Sequence, residues 1–270
     1  MIGGKRKMKK LWYAFTIGIL CLSICLMSVS AISDTPHNWY CPRNKEHKQP
    51  LADRTLQFIE QYHAYYVDLW HGDNAEEKVV YLTFDAGYEN GNVAKILDIL
   101  KQEQVPGAFF VLGHLISSQP DLVRRMQQEG HIVANHTYHH KDMTTLDQFE
   151  QFQEELSSLK ELYHQTTGAE MANYYRPPEG KFDERSLEFA NRMGYQTIFW
   201  SLAYADWDNN NQPSEDFAMK KIMDHMHNGA IILLHPTSET NTKIMAPLIR
   251  ELKACGYRFG TLDELTNEAP

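Results

Sequence analysis

The chain has 270 residues, of which 43% are hydrophobic and 23% charged, a composition typical of globular proteins and not of disordered ones. It carries 26 Lys and Arg against 35 Asp and Glu, a formal net charge of −9, so a basic face for nucleic-acid phosphates is not expected and no nucleic-acid partner is predicted. Four cysteines in 270 residues exclude a disulfide-rich scaffold.

Residues 1–31 have the pattern of an export signal. Five cations between Lys5 and Lys10 precede an apolar run over 11–29, and no acidic residue occurs before Asp34. This pattern, followed by small residues at 30–31, predicts a signal peptide. The apolar run is nearly long enough to span a bilayer, so an uncleaved membrane anchor is the alternative. In both cases the rest of the chain is expected to be secreted or anchored outside the cytoplasm.

Residues 32–77 are predicted to form an arm packed on the domain that follows. The stretch is polar and irregular, with one helical pattern over 53–66. It contains Cys41, and Cys255 lies near the other end of the chain. Outside the cytosol these two cysteines could pair and tie the arm to the last helix, and two free thiols are the alternative.

From residue 78 to residue 270, short apolar runs alternate with amphipathic stretches. Strands are predicted at 79–84, 108–112, 132–135, 174–176, 196–201, 230–234 and 257–260. Helices are predicted at 92–101, 119–128, 146–165, 183–192, 214–227 and 242–254. About seven βα units predict an α/β fold with a parallel sheet, an incomplete (β/α) barrel with its chemistry at the carboxyl ends of the strands.

Asp85 and a pair of histidines follow two of these strands. Asp85 ends the first strand, where a turn or helix cap is the simpler interpretation. His136 and His140 follow the third strand four residues apart; on a helical turn both imidazoles would face one way and could share a metal ion. His139 would point off that face. A pair of structural or surface histidines is the alternative.

Three more strand ends carry ionisable residues. Arg176 could hold a carboxylate through two hydrogen bonds, Asp206 could orient a histidine, and His235 ends an apolar strand. Taken singly, these residues could be a surface ion pair, a cap and a buried core histidine. Because all of them fall at strand ends, where barrel enzymes build their sites, their common position favours one catalytic centre.

The segments TFDAGYENG, HTYHH, RPPEG, ADW and LLH, in this order, resemble the motifs of the polysaccharide deacetylases, the NodB homology domain of carbohydrate esterase family 4. The resemblance covers residues 78–270 and implies the distorted, incomplete barrel of that family. The YENG extension, the start of the arm near Asn38 and Trp39, and GYQTIFW resemble one branch of it. That branch is the delta-lactam-biosynthetic de-N-acetylases, which act on muramic acid in spore cortex peptidoglycan.

The resemblance also implies roles in the hydrolysis of an acetamide. The implied catalytic residues are Asp85 as general base with Arg176 as its partner, and His235 as general acid with Asp206 as its partner; the implied metal ligands are His136 and His140. The implied substrate-binding residues are Tyr88, Pro178, Trp207 and Leu233. Trp207 and Leu233 would wall a pocket for the acetyl methyl, although Trp207 could instead be a core residue.

Ala86 departs from the family pattern. Most members carry a second Asp directly after the base, and that residue is the third metal ligand, whereas an alanine cannot bind a metal. Ala86 is expected to face the polar mouth of the barrel. Two neutral imidazoles alone should hold a divalent cation weakly, and the sequence leaves zinc, manganese and magnesium open.

The sequence therefore predicts a secreted deacetylase that acts on N-acetylmuramic acid of a peptidoglycan glycan strand and leads to muramic delta-lactam in spore cortex. One alternative is deacetylation of another glycan, such as N-acetylglucosamine in peptidoglycan or chitin oligomers. The other is an inactive glycan-binding module, since a fold alone fixes no activity. The complete set of acid and base residues argues against that second alternative.

Overall fold

A computed structural model describes residues 32–40 and 45–267. The chain divides into two units, Met1–Ser33 and Asp34–Pro270, and all the helices and strands below lie in the second. The predicted export segment and Cys41 lie outside the described residues, so the signal and the Cys41–Cys255 disulfide stay predictions; Cys255 itself is exposed. Within the described ranges, no helix has the length and apolar character needed to cross a membrane.

Eleven strands and eight α-helices are found in the part of the chain that the structure describes. The strands are β1 (His37–Asn38), β2 (Ala64–Tyr65), β3 (Lys78–Ala86), β4 (Ala108–Val111), β5 (Ile132–Asn135), β6 (Tyr174–Tyr175), β7 (Lys181–Phe182), β8 (Gln196–Ile198), β9 (Leu202–Ala203), β10 (Ala230–Leu234) and β11 (Tyr257–Phe259). The helices are α1 (Val93–Glu103), α2 (Gly113–Ser118), α3 (Pro120–Gln128), α4 (Phe149–Thr167), α5 (Glu184–Arg192), α6 (Glu215–Met223), α7 (Glu239–Ala254) and α8 (Leu262–Asn267). Three short 3-10 helices lie at Arg54–Tyr62, Met143–Thr145 and Pro178–Gly180.

The main sheet is a curled, open half-barrel of eight parallel strands in the order β2-β8-β6-β5-β4-β3-β10-β9. The short β11 adds a ninth strand, which pairs with the first part of β3, while β4 pairs with the last part. The predicted α/β fold with an incomplete barrel is confirmed. Because all these strands run parallel, their carboxyl ends lie at the same edge of the sheet.

Strand β3 shows how the sheet separates two cores. Val80, Leu82 and Phe84 pack in the largest apolar cluster, which includes buried residues of α1 and α7. Val79 and Tyr81 pack in a second cluster with residues of other strands and of α8. Successive side chains of a strand point to opposite faces, so the odd-numbered residues of β3 share one face, and the last of them is Asp85.

The arm differs from its predicted structure. The helical pattern over 53–66 forms a 3-10 helix only as far as Tyr62, and Ala64–Tyr65 then pairs with β8 as the edge strand β2. The change occurs at His63, whose φ of 51° ends the helix. By pairing with β8, the backbone of Ala64 and Tyr65 forms hydrogen bonds with the sheet in place of the hydrogen bonds of a continued helix.

Trp39 packs the beginning of the arm against residues that follow β6 and β8. Its ring stacks on Phe199 with 4.5 Å between centroids, and its Nε1 donates a hydrogen bond of 2.8 Å to the carbonyl of Trp200. Its backbone N–H donates to the carbonyl of Gly180 at 2.7 Å. Gly180 has a φ of +67°, and a Cβ there would lie 2.7 Å from the Trp200 ring, so only glycine fits this close approach.

Several predicted boundaries differ from the structure, and one helix was not predicted. The strand predicted over 196–201 ends at Ile198, and Leu202–Ala203 forms the separate strand β9 beside β10. Helix α2 was not predicted, because its six residues are too few for a helical pattern to show. Helix α7 begins at Glu239 and not at 242, because the Ser238 side chain accepts a hydrogen bond from the N–H of Asn241 and caps it.

Candidate active site

The residues predicted at the strand ends lie close together at the carboxyl edge of the sheet. Asp85 is the next-to-last residue of β3, Arg176 follows β6 directly, and His235 follows β10 directly. Asp85 contacts both Arg176 and His136, and His235 contacts Asp206. The tertiary fold therefore brings together two carboxylates, an arginine and two histidines from five segments.

Arg176 is fully buried and is held by four acceptors. Its Nη1 donates to Asp85 Oδ1 at 2.8 Å, and its Nε donates to the carbonyl of Ile198 at 2.8 Å. Its Nη2 donates to Thr83 Oγ1 at 2.9 Å and to the carbonyl of Phe199 at 3.2 Å. This guanidinium cannot rotate without breaking several bonds, so it holds one oxygen of Asp85 in a fixed position.

The same ion pair controls the charge of Asp85. Burial by itself raises the pKa of this carboxyl, but the Arg176 guanidinium, with smaller contributions from His136 and His235, holds the pKa below its usual value. Asp85 is therefore ionised at neutral pH. One of its oxygens contacts Arg176, and the other, Oδ2, lies 3.6 Å from His136 Nε2.

The buried ring of His136 has a defined tautomer. Its Nδ1 lies 2.8 Å from the carbonyl oxygen of Arg176, and because a carbonyl only accepts, Nδ1 carries the proton and donates. Burial lowers the pKa of His136 to about 4, so the ring is neutral at pH 7. Its Nε2 therefore keeps a free electron pair on the side of Asp85, which is the state in which a histidine ligates a metal.

His140 reaches His136 by a route that the sequence did not predict. Residues 136–141, named here the histidine loop, form no helical turn. Thr137 and His140 adopt left-handed backbone angles, with φ of 72° and 58°. The loop turns back on itself, so the two rings meet edge to face with 5.1 Å between centroids. The expectation of a helical turn was wrong, although the two imidazoles do lie together.

The expectation for Ala86 was also wrong. Ala86 is fully buried and belongs to the apolar cluster that contains Phe84 and Leu82, so it does not face a polar mouth. The strand alternates, and Asp85 takes the face toward Arg176. Across residues 32–40 and 45–267, no group of three or more His, Cys, Asp or Glu side chains is arranged to hold a metal ion.

His235 and Asp206 form the second charged pair. The Nδ1 of His235 lies 2.7 Å from Asp206 Oδ1, and the backbone N–H of His235 donates to Asp206 Oδ2 at 2.8 Å. Burial by itself lowers the pKa of His235, but the hydrogen bond and charge of Asp206, together with the charge of Asp85, raise it above its usual value. His235 therefore stays protonated to a higher pH than a free histidine.

The four predicted substrate-binding residues differ in exposure and in their neighbours. Trp207 is 62% exposed and not a core residue, and its ring lies edge-on to His235 with 6.3 Å between centroids. Leu233 is buried in β10, next to Thr83 of β3. Tyr88 is exposed, and its hydroxyl accepts a hydrogen bond from Asn209. Pro178 is buried and begins the short 3-10 helix that ends at Gly180.

Three residues of the site were missed by the sequence analysis. Thr83 accepts from Arg176, and fully buried Asn241 donates to Asp206 Oδ2 at 2.6 Å and to the carbonyl of His235 at 3.0 Å. Glu155 contacts the histidine loop. The sequence signal for Glu155 is its place on the apolar face of α4, where a charged residue needs partners. Thr83 and Asn241 give no such signal.

The family model described as polysaccharide deacetylase matches residues 72–198. Over 255 residues the chain is 42% identical to the peptidoglycan-N-acetylmuramic acid deacetylase PdaA of Bacillus subtilis, which covers 93% of this chain and 95% of that protein. The chain belongs to the polysaccharide deacetylase family. Membership makes it a hydrolase of amide carbon–nitrogen bonds, which confirms the predicted reaction class.

Solved structures of the family have the same fold. The structure of Bacillus subtilis PdaA, a family 4 carbohydrate esterase, matches with a TM-score of 0.82 and 43% identity, covering 88% of this chain and 99% of that one. A family 4 carbohydrate esterase from Bacillus anthracis matches with a TM-score of 0.73 and 38% identity, covering 89% and 100%. A peptidoglycan-N-acetylglucosamine deacetylase of Bacillus cereus is 29% identical over 234 residues, 84% of this chain and 82% of that protein.

Proposed function

We propose that the chain removes the acetyl group from N-acetylmuramic acid in peptidoglycan. The observation that carries this proposal is its 42% identity, across nearly the whole of both chains, to a deacetylase of that sugar. Two charged pairs, Asp85 with Arg176 and His235 with Asp206, supply the base and the acid that hydrolysis of an acetamide needs.

Asp85 is the general base in this proposal. It is ionised, it is held on one side by Arg176, and its second oxygen is left to accept a proton from the attacking water. Arg176 touches the carboxylate and keeps it charged and oriented. Because the guanidinium is itself fixed by backbone carbonyls, the base cannot swing away when it takes the proton.

His235 is the general acid. Its Nδ1 is engaged by Asp206, so Nε2 is the nitrogen that delivers a proton to the departing amine. The raised pKa of His235 keeps it protonated until that step. Asn241 in turn donates to Asp206 and to the His235 carbonyl, and it fixes the pair from the side of α7.

His136 and His140 are the residues that would hold a divalent metal ion. The fit rests on His136, a neutral ring whose Nδ1 donates to a carbonyl and whose Nε2 is unprotonated, with the second imidazole beside it. When bound, the metal would polarise the acetyl carbonyl and the water. Two imidazoles suit zinc among the common ions, with manganese and magnesium as alternatives. Since Ala86 supplies no ligand, we expect weak binding.

Four side chains would contact the sugar and its acetyl group: Tyr88, Pro178, Trp207 and Leu233. Trp207 and Leu233 would wall the methyl pocket, because one is an indole beside the acid and the other a buried aliphatic residue beside Thr83. Tyr88, exposed at 43%, is available to stack on a pyranose ring. Pro178, two residues after Arg176 and buried, would contribute an apolar surface next to the base.

The location and biological role belong to the same proposal. Peptidoglycan lies outside the cytoplasm, which agrees with the export or anchoring signal predicted at 1–31. An amine freed on muramic acid is close to the lactyl carboxyl of the same sugar, so closure to a six-membered lactam is favoured by proximity. The product in spore cortex would then be muramic delta-lactam.

A second candidate is deacetylation of N-acetylglucosamine, which the 29% identity to the Bacillus cereus enzyme favours. The two candidates share the acid–base chemistry and differ only in the sugar that carries the acetamide. An inactive glycan-binding module is disfavoured, because such a module has no need of both charged pairs.

Mass spectrometry of peptidoglycan fragments tests the proposal. Purified chain is incubated with fragments that carry peptide stems and with fragments that do not. Loss of one acetyl group from muramic acid residues is the expected result, and acetyl loss confined to glucosamine residues would establish the second candidate. No acetyl loss from either sugar, with zinc, manganese or magnesium added, would overturn both.

A further inference from the structure

Helix α4 carries a buried carboxylate that the proposed reaction does not use. Glu155 is 3% exposed and lies on the buried face of the helix, between Phe152 and Leu156. Its side chain leaves this apolar face and ends at the histidine loop, residues 136–141. A carboxylate in such a position is stable only if its oxygens are well paired.

Both oxygens of Glu155 are paired, and their partners among the residues that the structure describes belong to the histidine loop. Oε2 accepts from the backbone N–H of His139 at 3.0 Å, and Oε1 accepts from His139 Nδ1 at 2.9 Å and from Lys141 Nζ at 2.6 Å. The backbone carbonyl of Glu155 also accepts from the N–H of Tyr138 at 3.1 Å. The bonds from residues 139 and 141 lie on either side of His140.

The loop needs such an anchor, because its backbone is unfavourable. Thr137 and His140 are not glycines, yet both lie in the left-handed region, which L side chains rarely adopt. Within the loop, Thr137 Oγ1 accepts from the N–H of His140 at 2.9 Å, and Asn135 Oδ1 accepts from the N–H of Thr137 at 2.9 Å. These short-range bonds shape the turn, while Glu155 joins it to a helix of 19 residues.

We propose that Glu155 is a positioning residue that sets the affinity of the metal site by holding His140 next to His136. This inference rests on the proposed metal ligands. His136 is fixed by burial and by its bond to the Arg176 carbonyl, whereas His140 is exposed and depends on the course of the loop. Glu155 therefore acts on the ligand that has the fewest restraints of its own.

Zinc titration by calorimetry tests this inference in the purified chain. Glu155→Ala should raise the zinc dissociation constant by about 10–100-fold, the usual effect of removing a residue that orients a metal ligand. Glu155→Gln keeps an acceptor oxygen but places a donor amide against the loop, so it should weaken binding less. The matched control is Glu154→Ala, an exposed neighbour on the same helix whose carboxylate accepts from Ser158 of that helix.

Thermal unfolding of the metal-free variants separates positioning from simple stabilisation. A folded Glu155→Ala chain that binds zinc as tightly as wild type would overturn the inference, whatever its melting temperature. If Glu155→Ala fails to fold, unchanged affinity in Glu155→Gln would overturn it equally. A weakened affinity in folded Glu155 variants, with the control unchanged, supports it.

Histidine variants keep failure of the metal site distinct from failure of the inference. His136→Ala and His140→Ala should each weaken zinc binding more than any Glu155 variant does. If both bind zinc as wild type does, or if wild type binds none, the proposed metal site is wrong and the positioning role falls with it. If both lose zinc while Glu155→Ala keeps it, the metal site stands and only the role of Glu155 is wrong.

Discussion

Arg176 and Asp85 form an ion pair of 2.8 Å in which the guanidinium is completely buried. Three of the four hydrogen bonds of this buried arginine go to Thr83 and to the backbone carbonyls of Ile198 and Phe199, at the end of β8. The guanidinium of Arg176 therefore fixes the Asp85 carboxylate, and residues at the ends of β3 and β8 fix the guanidinium. This arrangement allows a carboxylate inside the protein to stay ionised and available as a base.

Asp85→Asn should lower kcat by ~10² or more, because the amide keeps the shape of the side chain but cannot take a proton. The hydrogen bond from Arg176 can still reach the amide oxygen, so KM should change little. The measurement is steady-state release of acetate from stem-free peptidoglycan. Turnover close to that of wild type would exclude Asp85 as the base.

The alkaline limb of the pH–rate profile should report His235. The imidazolium is needed as acid, so activity falls as pH rises through its raised pKa. Asp206→Asn removes the anionic partner, which lowers the pKa of His235 and moves the limb to lower pH. His235→Ala should remove the limb along with most of the activity. Profiles of kcat/KM for wild type and both variants test the pairing, and an unchanged alkaline limb in both contradicts it.

Ala86→Asp should destabilise the metal-free chain by about 3 kcal/mol, because the new carboxylate would lie among apolar side chains. Urea denaturation measures the loss, and Ala254→Asp, which adds the same group at an exposed position, is the control. Unchanged stability of Ala86→Asp would mean that residue 86 reaches the polar mouth. Recovery of stability on adding zinc would mean that the carboxylate reaches the metal.

Trp39→Ala should lower the free energy of unfolding by about 3–5 kcal/mol, the usual cost of removing a buried aromatic side chain. Trp39→Phe should cost less, since it keeps a ring against Phe199 while losing the hydrogen bond to the Trp200 carbonyl and part of the buried ring area. Tyr40→Ala, at an exposed neighbour, is the control. Equal urea midpoints for Trp39→Ala and the control would show that the arm does not stabilise the domain.

The sequence could predict where the chemistry lies because the strands carry a local signal. Asp85, Arg176 and His235 each follow an apolar run, and the parallel βα pattern requires those strand ends to share one edge. The alternation along β3 was also readable, and it would have placed Ala86 on the face opposite Asp85. The family position of a metal ligand at residue 86 therefore conflicts with the alternation of β3.

The sequence by itself determined the α/β class, the parallel order of strand and helix, and the place of Asp85, Arg176 and His235 at strand ends, because each depends on periodicity within about ten neighbouring residues. Only the tertiary structure decided how His140 approaches His136, that Glu155 meets the histidine loop, and that Asn241 holds Asp206. Those contacts join residues that are far apart in the chain or depend on unusual backbone angles. The local sequence pattern predicts neither the long-range contacts nor the unusual backbone angles, because both form only when the assembled strands pack against the helices and loops.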